Sequence, residues 1–370
     1  MKIVLTGGGT AGHVNPAVAI AEKVMEREPA SEITFVGRRG GKENRSAENF
    51  GLKIKTLEVR GFQRRLFGGH IKTLIMALKA KKEAEKILSE CGAEVVVGTG
   101  GYVCWPVLKA AKKLGIPTLI HESNAMPGLV TRALASDSAA VLLGYDGAAK
   151  HLPKKCRTLT VGNPPRKEFT LISRQKARKR LGLTDEDILI VSFGGSGGAA
   201  RLNDAVIEFM KEVSVGTRSI RHLHATGERF YREVEEEELR RGTHGCRILP
   251  YIENMPVVLS AADIAITRAG ALTLAELQCA AVASILVPSP NVTANHQLEN
   301  ARAISNKGGA IVIEEGTGLG EALKTEITEL ICNVQKRKGL SEAIKKFYRP
   351  DSADEIYKEI REIAKRRKKG

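Results

Sequence analysis

The segments KIVLTGGGTAG at 2–12 and ILIVSFGGSGGA at 188–199 decide the fold of this 370-residue chain. Each begins with an apolar run rich in Val, Ile and Leu, which is typical of a parallel strand buried on both faces. Each ends in closely spaced glycines that allow a tight turn into a helix, whose N-terminus attracts anions. The pattern predicts two Rossmann-like halves that bind ligands in a cleft between them.

Length and composition describe a globular protein of two domains. The chain is longer than one core usually requires, and 42% hydrophobic with 27% charged residues is ordinary for a soluble protein. No apolar run approaches the ~20 residues of a transmembrane helix, and a strand at Lys2–Thr6 stands where a signal peptide would lie. We therefore expect a cytoplasmic protein whose six scattered cysteines are reduced and mostly buried.

Strands and helices alternate through both halves, which predicts an α/β fold with mostly parallel sheets. The prolines of Asn163–Pro165 mark a linker, so we predict an N-terminal domain over 1–162 and a C-terminal domain over 163–346. The remaining segment, 347–370, contains a predicted helix that we expect to pack back on the first domain. Its apolar positions at helical spacing are Ile356, Ile360 and Ile363.

Positive charge is concentrated in the first domain. The chain has a net charge of +16, and residues 1–162 contribute +11 from 25 Lys and Arg residues against 14 Asp and Glu residues. The segment Arg60–Lys86 alone has eight basic and two acidic residues. This asymmetry either serves solubility alone or indicates contact with an anionic surface, which would be a membrane or a nucleic acid.

The segment Arg60–Lys86 is also amphipathic. Aromatic residues on a glycine-containing loop precede apolar residues at helical spacing, namely Phe62, Leu66, Phe67, Ile71, Leu74, Ile75 and Leu78. Core packing is the ordinary explanation of such a stripe, whereas the aromatic loop favours docking on an anionic membrane. The predicted membrane contacts are Phe62, Arg64, Arg65, Phe67, Lys72 and Ile75.

The first glycine turn formally matches a dinucleotide fingerprint at positions 7, 9 and 12. The acid that would bind the ribose of NAD is absent, because the second predicted strand ends in arginines, Arg38 and Arg39, and only an NADP site survives as an alternative. We expect a helix over Pro16–Arg27 with proline in its first turn. His13 stands immediately after Gly12, where it either takes a proton from a hydroxyl nucleophile or packs against the turn.

Polar residues follow other predicted strands at the sheet edge where ligands bind in this architecture. Glu122 and Asn124 follow one strand of the first half, and Glu122 is alternatively a buried acid paired within its loop. In the second half, RAGALTLAE at 268–276 runs from a strand into a helix. The Glu276 carboxylate is suited to the two hydroxyls of a ribose, and it is alternatively a solvated glutamate on the helix surface. NHQ at 295–297 opens the next helix with groups suited to a sugar.

Seven ordered motifs make the chain resemble the MurG glycosyltransferases. They are GGGTAGHVNPA at 7–17, GTGGYVCWP at 98–106, HESNAMPG at 121–128, VGNPPR at 161–166, GGSGGAARLN at 194–203, RAGALTLAE at 268–276 and NHQLENA at 295–301. The resemblance implies the GT-B fold, in which two Rossmann-like domains with parallel sheets face an interdomain cleft. It also implies transfer of N-acetylglucosamine from UDP-N-acetylglucosamine to the C4 hydroxyl of lipid-linked MurNAc-pentapeptide in peptidoglycan synthesis.

The resemblance also implies roles for single residues. The donor would lie mainly on the second domain, with Glu276 at the ribose, the Ile252 backbone at the uracil, Ser196 at the diphosphate and Gln297 at the sugar. The whole set of implied donor-binding residues is Thr10, Ala11, Gly12, Asn124, Arg166, Ser196, Ile252, Ala271, Leu272, Thr273, Glu276 and Gln297. The acceptor would lie on the first domain, where the candidate catalytic residues are His13, Asn124 and Glu122.

The implied reaction is one inverting displacement that gives a β-linkage and releases UDP. We expect no metal and no cofactor, because helix dipoles and backbone donors neutralise the leaving diphosphate and no Asp-x-Asp motif stands beside either glycine loop. Three residues depart from the family pattern: Ser123 replaces the glutamine of HEQN, Gly197 replaces that of GGSQGA, and Asn295 replaces the aspartate of DHQ.

The implied partners are UDP-N-acetylglucosamine, the lipid-linked muramyl-pentapeptide, an anionic membrane surface and cell-wall synthesis proteins. The protein would be peripheral, on the cytoplasmic side of the plasma membrane. One alternative is a GT-B transferase that glycosylates a different lipid. A nucleic-acid-binding protein is the other, and 4% aromatic residues without a recognised module argue against it.

Overall fold

In the computed structural model the chain divides into two compact units. Unit 1 comprises Met1–Pro164 and Arg349–Gly370, and unit 2 comprises Pro165–Tyr348. Each predicted boundary, 162/163 and 346/347, lies two residues from a boundary of these units. The structure describes residues 1–9, 11–41, 44–59, 70–195, 197–213, 220–234, 245–292 and 295–367, and it describes the backbone alone at 11, 46, 70–75, 213 and 367.

Both units are built from parallel strands and helices. In chain order the strands are β1 (Lys2–Thr6), β2 (Glu32–Arg38), β3 (Lys53–Leu57), β4 (Val95–Gly98), β5 (Thr118–Glu122), β6 (Ala140–Leu143), β7 (Thr158–Thr160), β8 (Ile188–Phe193), β9 (Ile220–Ala225), β10 (Cys246–Leu249), β11 (Ile264–Thr267), β12 (Ala283–Leu286) and β13 (Ile311–Val312). The helices are α1 (Ala11–Arg27), α2 (Asn44–Asn49), α3 (His70–Glu90), α4 (Cys104–Lys113), α5 (Leu129–Leu134), α6 (Glu168–Leu171), α7 (Arg174–Arg180), α8 (Ala200–Val213), α9 (Glu228–Val234), α10 (Met255–Ala261), α11 (Ala271–Ala280), α12 (His296–Ser305), α13 (Leu319–Cys332), α14 (Val334–Lys345) and α15 (Ser352–Arg367). Short 3₁₀ helices cover Ala135–Asp137 and Asp146–His151.

Each unit contains one parallel sheet. Among the residues that the structure describes, unit 1 has seven strands in the order β3-β2-β1-β4-β5-β6-β7, and unit 2 has six in the order β10-β9-β8-β11-β12-β13. The strand order reverses at β1/β4 and at β8/β11, as in a Rossmann fold, and ligands bind at such reversals. Most strand residues are buried apolar side chains, because helices cover both faces of each sheet. The prediction of an α/β protein with two Rossmann-like parallel sheets is confirmed.

Helix α15 packs on unit 1. Ile356 and Ile360 are fully buried in an apolar core that also contains Val14 and Ile20 of α1. The Tyr357 hydroxyl donates a 2.9 Å hydrogen bond to Glu28 beyond the end of α1. The apolar periodicity that predicted this helix therefore corresponds to its buried face.

Helix α1 begins at Ala11, five residues before the predicted start at Pro16, so that part of the prediction is wrong. Gly9 adopts a φ of +95° and turns the chain so tightly that the helix begins almost at once after β1. Pro16 consequently lies inside the helix, in its second turn. Since proline has no N–H, the Gly12 carbonyl four residues earlier lacks its usual helical donor.

All six cysteines are free thiols. Only Cys104 is buried, so the prediction that most of them are buried is wrong. The others lie in loops or at the ends of strands and helices, where neighbouring elements cover them incompletely; they are Cys91, Cys156, Cys246, Cys279 and Cys332.

Candidate active site

The loops after β1 and β4 interlock at the strand-order reversal of unit 1. The Gly8 N–H donates a 3.3 Å hydrogen bond to the Gly100 carbonyl. A Cβ on Gly101 would overlap the Gly8 carbonyl oxygen, and the φ of Gly101 is +82°. Glycine is required there by both the close approach and the backbone conformation. The two glycine motifs of the first half therefore form one structure at the edge where this fold binds ligands.

His13 is the third residue of α1 and lies, half-buried, against the loop after β4. A Cβ on Gly100 would be 2.5 Å from Nδ1 of the imidazole, so the ring rests directly on that backbone. The His13 carbonyl accepts a 2.5 Å hydrogen bond from Oγ1 of Thr99. Both predicted behaviours of His13, packing against the turn and reaching the ligand-binding edge, are compatible with this placement.

The Glu122 carboxylate organises the loop after β5. It is 4% exposed and accepts hydrogen bonds from the Asn124 N–H at 3.0 Å and the Asn124 Nδ2 at 3.1 Å. It also accepts from the Gly128 N–H at 3.0 Å and from Oγ1 of Thr131 at 2.6 Å. Four donors fix the carboxylate in its loop, and through the carboxylate they orient the half-buried side chain of Asn124. The predicted alternative, an acid paired within its loop, matches these contacts.

A buried histidine supports the same loop. Nε2 of His121 lies 3.1 Å from the Gly162 carbonyl, and Nδ1 lies 3.4 Å from Oγ of Ser123. Burial lowers the pKa of His121, so the ring is neutral, donates from Nε2 and accepts the Ser123 hydroxyl at Nδ1. The Ser123 carbonyl accepts a 2.9 Å bond from Nδ2 of Asn163. Ser123, which departs from the family pattern, is thus a buried part of the loop.

In unit 2 the glycine loop after β8 turns back on itself. The Gly198 N–H donates a 3.0 Å bond to the Gly195 carbonyl, and both residues have positive φ. A Cβ on Gly198 would overlap the Thr226 carbonyl oxygen. At Gly197, by contrast, an added Cβ would have no atom within 4 Å, so the departure from glutamine there is not sterically required. Ser196 lies outside the described residues.

Glu276 of α11 is paired with Arg166. Nε of Arg166 donates a 2.6 Å hydrogen bond to Oε1 of Glu276, and the guanidinium lies 5.3 Å from the centre of the Phe169 ring. Burial raises the pKa of Glu276, and the positive charge of Arg166 opposes that rise. Sequence reasoning placed both residues in the nucleotide pocket, but it did not pair them.

The remaining donor candidates of unit 2 lie at the same sheet edge. Ile252 is buried in the loop after β10. Oε1 of Gln297 accepts a 2.9 Å bond from the Ser289 N–H, which fixes its amide at the start of α12. Asn295 precedes this helix with a φ of +52°, a conformation that asparagine tolerates better than most residues. The first turn of α11 contains Ala271, Leu272 and Thr273.

Several predicted residues fall where the structure gives less detail. Ala11 and Gly12 are the first two residues of α1, whereas Thr10 lies outside the described residues. Among the predicted membrane contacts, Lys72 and Ile75 belong to α3, whose side chains are not described at those positions. The others, Phe62, Arg64, Arg65 and Phe67, lie outside the described residues.

Two buried residues beneath His13 were missed by sequence reasoning, Thr99 and Cys104. Sγ of Cys104 lies 3.1 Å from the Gly100 carbonyl oxygen and 3.2 Å from the Thr6 carbonyl oxygen, and the two carbonyls share its single S–H proton. Burial raises the pKa of this thiol to about 12, so it remains protonated. Both lie in the motif at 98–106, but no local pattern gives either residue a role, because their contacts depend on β1 and β4 being neighbours in the sheet.

Comparison with known proteins assigns the family. The Glycosyltransferase family 28 N-terminal domain matches residues 3–143, and the Glycosyltransferase family 28 C-terminal domain matches residues 189–356. Two relatives are named "UDP-N-acetylglucosamine--N-acetylmuramyl-(pentapeptide) pyrophosphoryl-undecaprenol N-acetylglucosamine transferase". The one from Thermoanaerobacter sp. (strain X514) is 40% identical over 98% of this chain, and the one from Bacillus subtilis (strain 168) is 37% identical over 99%; each is covered over 100% of its own length.

A solved structure is similar over the same extent. The crystal structure of Acinetobacter baumannii MurG superposes with a TM-score of 0.79 at 27% identity, and the match covers 97% of this chain and 99% of that one. The matched domains, the relatives and this structure agree with the seven motifs. The chain therefore belongs to the MurG family of glycosyltransferases.

Proposed function

We propose that this glycosyltransferase transfers N-acetylglucosamine from UDP-N-acetylglucosamine to the C4 hydroxyl of a lipid-linked MurNAc-pentapeptide. Relatives named for transfer to this class of acceptor, identical at 37–40% over nearly the whole chain, support the substrates. The structural observation that carries the donor assignment is the partly buried ion pair between Arg166 and Glu276 of α11. In this proposal unit 2 binds the donor, and unit 1 binds the acceptor and the membrane.

In the proposed donor site a charged side chain binds the ribose, whereas backbone groups bind the uracil and the diphosphate. The Glu276 carboxylate accepts hydrogen bonds from the two ribose hydroxyls, and the Ile252 backbone pairs with the uracil. The diphosphate lies at Ser196 and at the N-terminus of α8, where the helix dipole and free N–H groups favour an anion. Gln297, whose amide is already fixed by the Ser289 N–H, recognises the sugar.

The proposed chemistry is a single displacement with inversion. His13 takes the proton from the acceptor C4 hydroxyl as its oxygen attacks the anomeric carbon and the bond to UDP breaks. Negative charge then grows on the leaving diphosphate, and the N-terminus of α8 stabilises it. Asn124 orients the acceptor. We assign Glu122 to holding Asn124, because four hydrogen-bond donors already occupy its carboxylate.

We also propose that the segment Arg60–Lys86 docks on an anionic membrane from the cytoplasmic side. The +11 charge of residues 1–162 supports this, as does Leu78 of α3, an apolar side chain that is 50% exposed. None of the helices within the described ranges is long and apolar enough to span a bilayer. Cell-wall synthesis proteins remain proposed partners through the family resemblance alone.

Acceptor choice tests the proposal. Purified protein is given labelled UDP-N-acetylglucosamine with either a lipid-diphosphate MurNAc-pentapeptide or the same lipid diphosphate without the muramyl sugar. We expect a labelled disaccharide only from the first acceptor. Transfer to the second alone would favour a transferase for another lipid, and no transfer by a folded protein that binds UDP would refute the acceptor assignment.

A further inference from the structure

We propose that Thr99 is a positioning residue that holds His13 in place for proton transfer. The proposal rests on the role of His13 proposed above. Thr99 itself is 1% exposed at the end of β4 and lies behind the helix turn that carries His13, so it acts through His13 and not on a substrate.

The Thr99 hydroxyl joins two elements. Its oxygen lies 2.5 Å from the His13 carbonyl and 3.2 Å from the Thr6 carbonyl at the end of β1. A hydroxyl has one proton to donate, and the shorter distance shows that His13 receives the stronger bond. The first turn of α1 is therefore tied to the residue that follows β4 by a short, partly buried hydrogen bond.

The first turn of α1 needs such a tie. Pro16 cannot donate to the Gly12 carbonyl, and its ring crowds that carbonyl, so the turn that contains His13 lacks an internal bond that an ordinary helix would have. An external donor at the next carbonyl along, that of His13, limits how far this turn can tilt. The short bond from Thr99 is in the right place to do so.

Gly7 leaves the space that this bond requires. A Cβ on Gly7 would overlap the Thr99 hydroxyl and lie 2.7 Å from the His13 carbonyl oxygen. The first glycine of the fingerprint is thus needed for the contact between Thr99 and His13, independently of any phosphate. On the other side of His13, the imidazole rests on the Gly100 backbone, and the Cys104 thiol contacts the carbonyl oxygen of Gly100 at 3.1 Å. The hydrogen bond from Thr99 to the His13 carbonyl and the contact between the imidazole and the Gly100 backbone together fix the direction of the imidazole.

The test compares three variants of the full-length enzyme. Thr99→Val removes the hydroxyl at nearly constant volume, and Thr99→Ser keeps it. Thr6→Val is a matched control, because Oγ1 of Thr6 is also buried and donates a 2.9 Å bond, but to the Val36 carbonyl and away from His13. Transfer rates, UDP affinity by calorimetry and thermal melts are measured for each.

We expect Thr99→Val to lower kcat by about 10- to 100-fold, the cost of misplacing a reacting group by roughly 1 Å. UDP affinity should not change, and Thr99→Ser should restore kcat. Thr6→Val should lose thermal stability to a similar extent and keep the parental kcat. A parental kcat in Thr99→Val, or equal losses in Thr99→Val and Thr6→Val, would overturn the proposal.

A double-mutant cycle shows whether Thr99 acts through His13. In the His13→Ala background, Thr99→Val should cause no further loss of kcat, because the group that it positions is gone. If Thr99→Val lowered kcat in the His13→Ala background by as much as it does in the parental enzyme, Thr99 would act independently of His13, and the proposal would be overturned. If His13→Ala alone kept the parental kcat, the proposed role of His13 would fail together with this one. A large loss in His13→Ala with none in Thr99→Val would refute the positioning role alone.

Discussion

Nε of Arg166 donates a 2.6 Å hydrogen bond to Oε1 of Glu276, although the two residues are 110 positions apart in the chain. Burial raises the pKa of the Glu276 carboxyl, and the neighbouring guanidinium counteracts this rise by favouring the charged form. The residue proposed to bind the ribose is therefore oriented before nucleotide arrives. Such preorganisation reduces the entropy that binding must otherwise cost.

Loss of the Glu276 carboxylate should weaken UDP binding without unfolding the protein. We expect Glu276→Ala to lose ~1.5–3 kcal/mol of binding free energy, the usual contribution of a hydrogen bond to a charged group. Calorimetry with UDP measures it. Glu168→Ala, which removes an exposed acid near Arg166, is the control and should bind as the parent does. Unchanged affinity in a folded Glu276→Ala protein would refute the ribose assignment.

Replacement of His13 should slow the chemical step and spare the donor. If His13 is the general base, His13→Ala should lower kcat by ~10²–10⁴ while the UDP affinity stays near that of the parent. Steady-state kinetics and calorimetry separate the two effects. Loss of donor binding with little change in kcat would instead make His13 a structural part of its loop.

Acid should destabilise unit 2 through two buried histidines. Oγ of Ser192 lies 2.8 Å from Nε2 of His222 and 2.8 Å from Nδ1 of His224. Burial lowers the pKa of His222 to about 3 and that of His224 to about 4. The folded state therefore binds fewer protons than the unfolded state below the unfolded pKa of about 6.5, so the free energy of unfolding falls as the pH drops from there towards 4.

Replacement of one of these rings should flatten that dependence. We expect His224→Gln to reduce the slope of unfolding free energy between pH 4 and 6 by about 1.4 kcal/mol per pH unit. Urea titrations followed by circular dichroism measure the slope. Thr267→Val changes a buried residue of unit 2 without removing a titrating group and should keep the parental slope. A parental slope in His224→Gln would show that the ring is protonated in the folded protein.

Gly197 should accept the glutamine of the family pattern. An added Cβ meets nothing within 4 Å and the backbone is not in the left-handed region, so Gly197→Gln should raise the free energy of unfolding by about 0.5 kcal/mol through the unfolded state. Gly198→Gln is the contrast, because its φ is +71° and its Cβ would overlap the Thr226 carbonyl. We expect that variant to be strongly destabilised. Equal melting temperatures for the two variants would contradict this account of the loop.

Charge reversal should abolish membrane docking. Each basic residue near an anionic surface contributes about 1 kcal/mol, so Arg64, Arg65 and Lys72 changed together to Glu should prevent co-sedimentation with anionic liposomes at low salt. The control reverses three exposed basic residues of α7 in unit 2: Lys176, Lys179 and Arg180. It should still bind. Parental binding by the first triple variant would place the contact elsewhere.

The elements that sequence predicted well are those set by local pattern. Apolar runs that end in glycines mark β1 and β8, because burial on both faces and a tight turn leave a signature within a dozen residues. Local pattern also explains the wrong start predicted for α1. Proline is common in the first turn of a helix, so Pro16 predicts a start there, whereas the helix begins at Ala11. Local sequence patterns thus predict where strands and helices lie, but a proline inside a helix leads to a wrong prediction of where that helix begins.

The contacts that shape the candidate site were not predictable in the same way. Thr99 meets His13 across 86 positions, and Arg166 meets Glu276 across 110. Each contact depends on which strands and helices are neighbours in the fold. The spacing of residues along the sequence does not predict which elements these are. The place of Glu122 after a strand makes it a candidate, but only the hydrogen bonds from Asn124, Gly128 and Thr131 indicate that it organises the loop.

The most direct test of the central claim follows one label through one reaction. The protein is incubated with UDP-N-acetylglucosamine labelled in the sugar, with and without a lipid-diphosphate MurNAc-pentapeptide, and the products are analysed by chromatography and NMR. We predict that UDP release requires the acceptor and that each UDP released is matched by one β-linked N-acetylglucosamine on the C4 oxygen of the muramyl sugar. Acceptor-independent hydrolysis or isomerisation of the donor, with no disaccharide formed, would contradict the account.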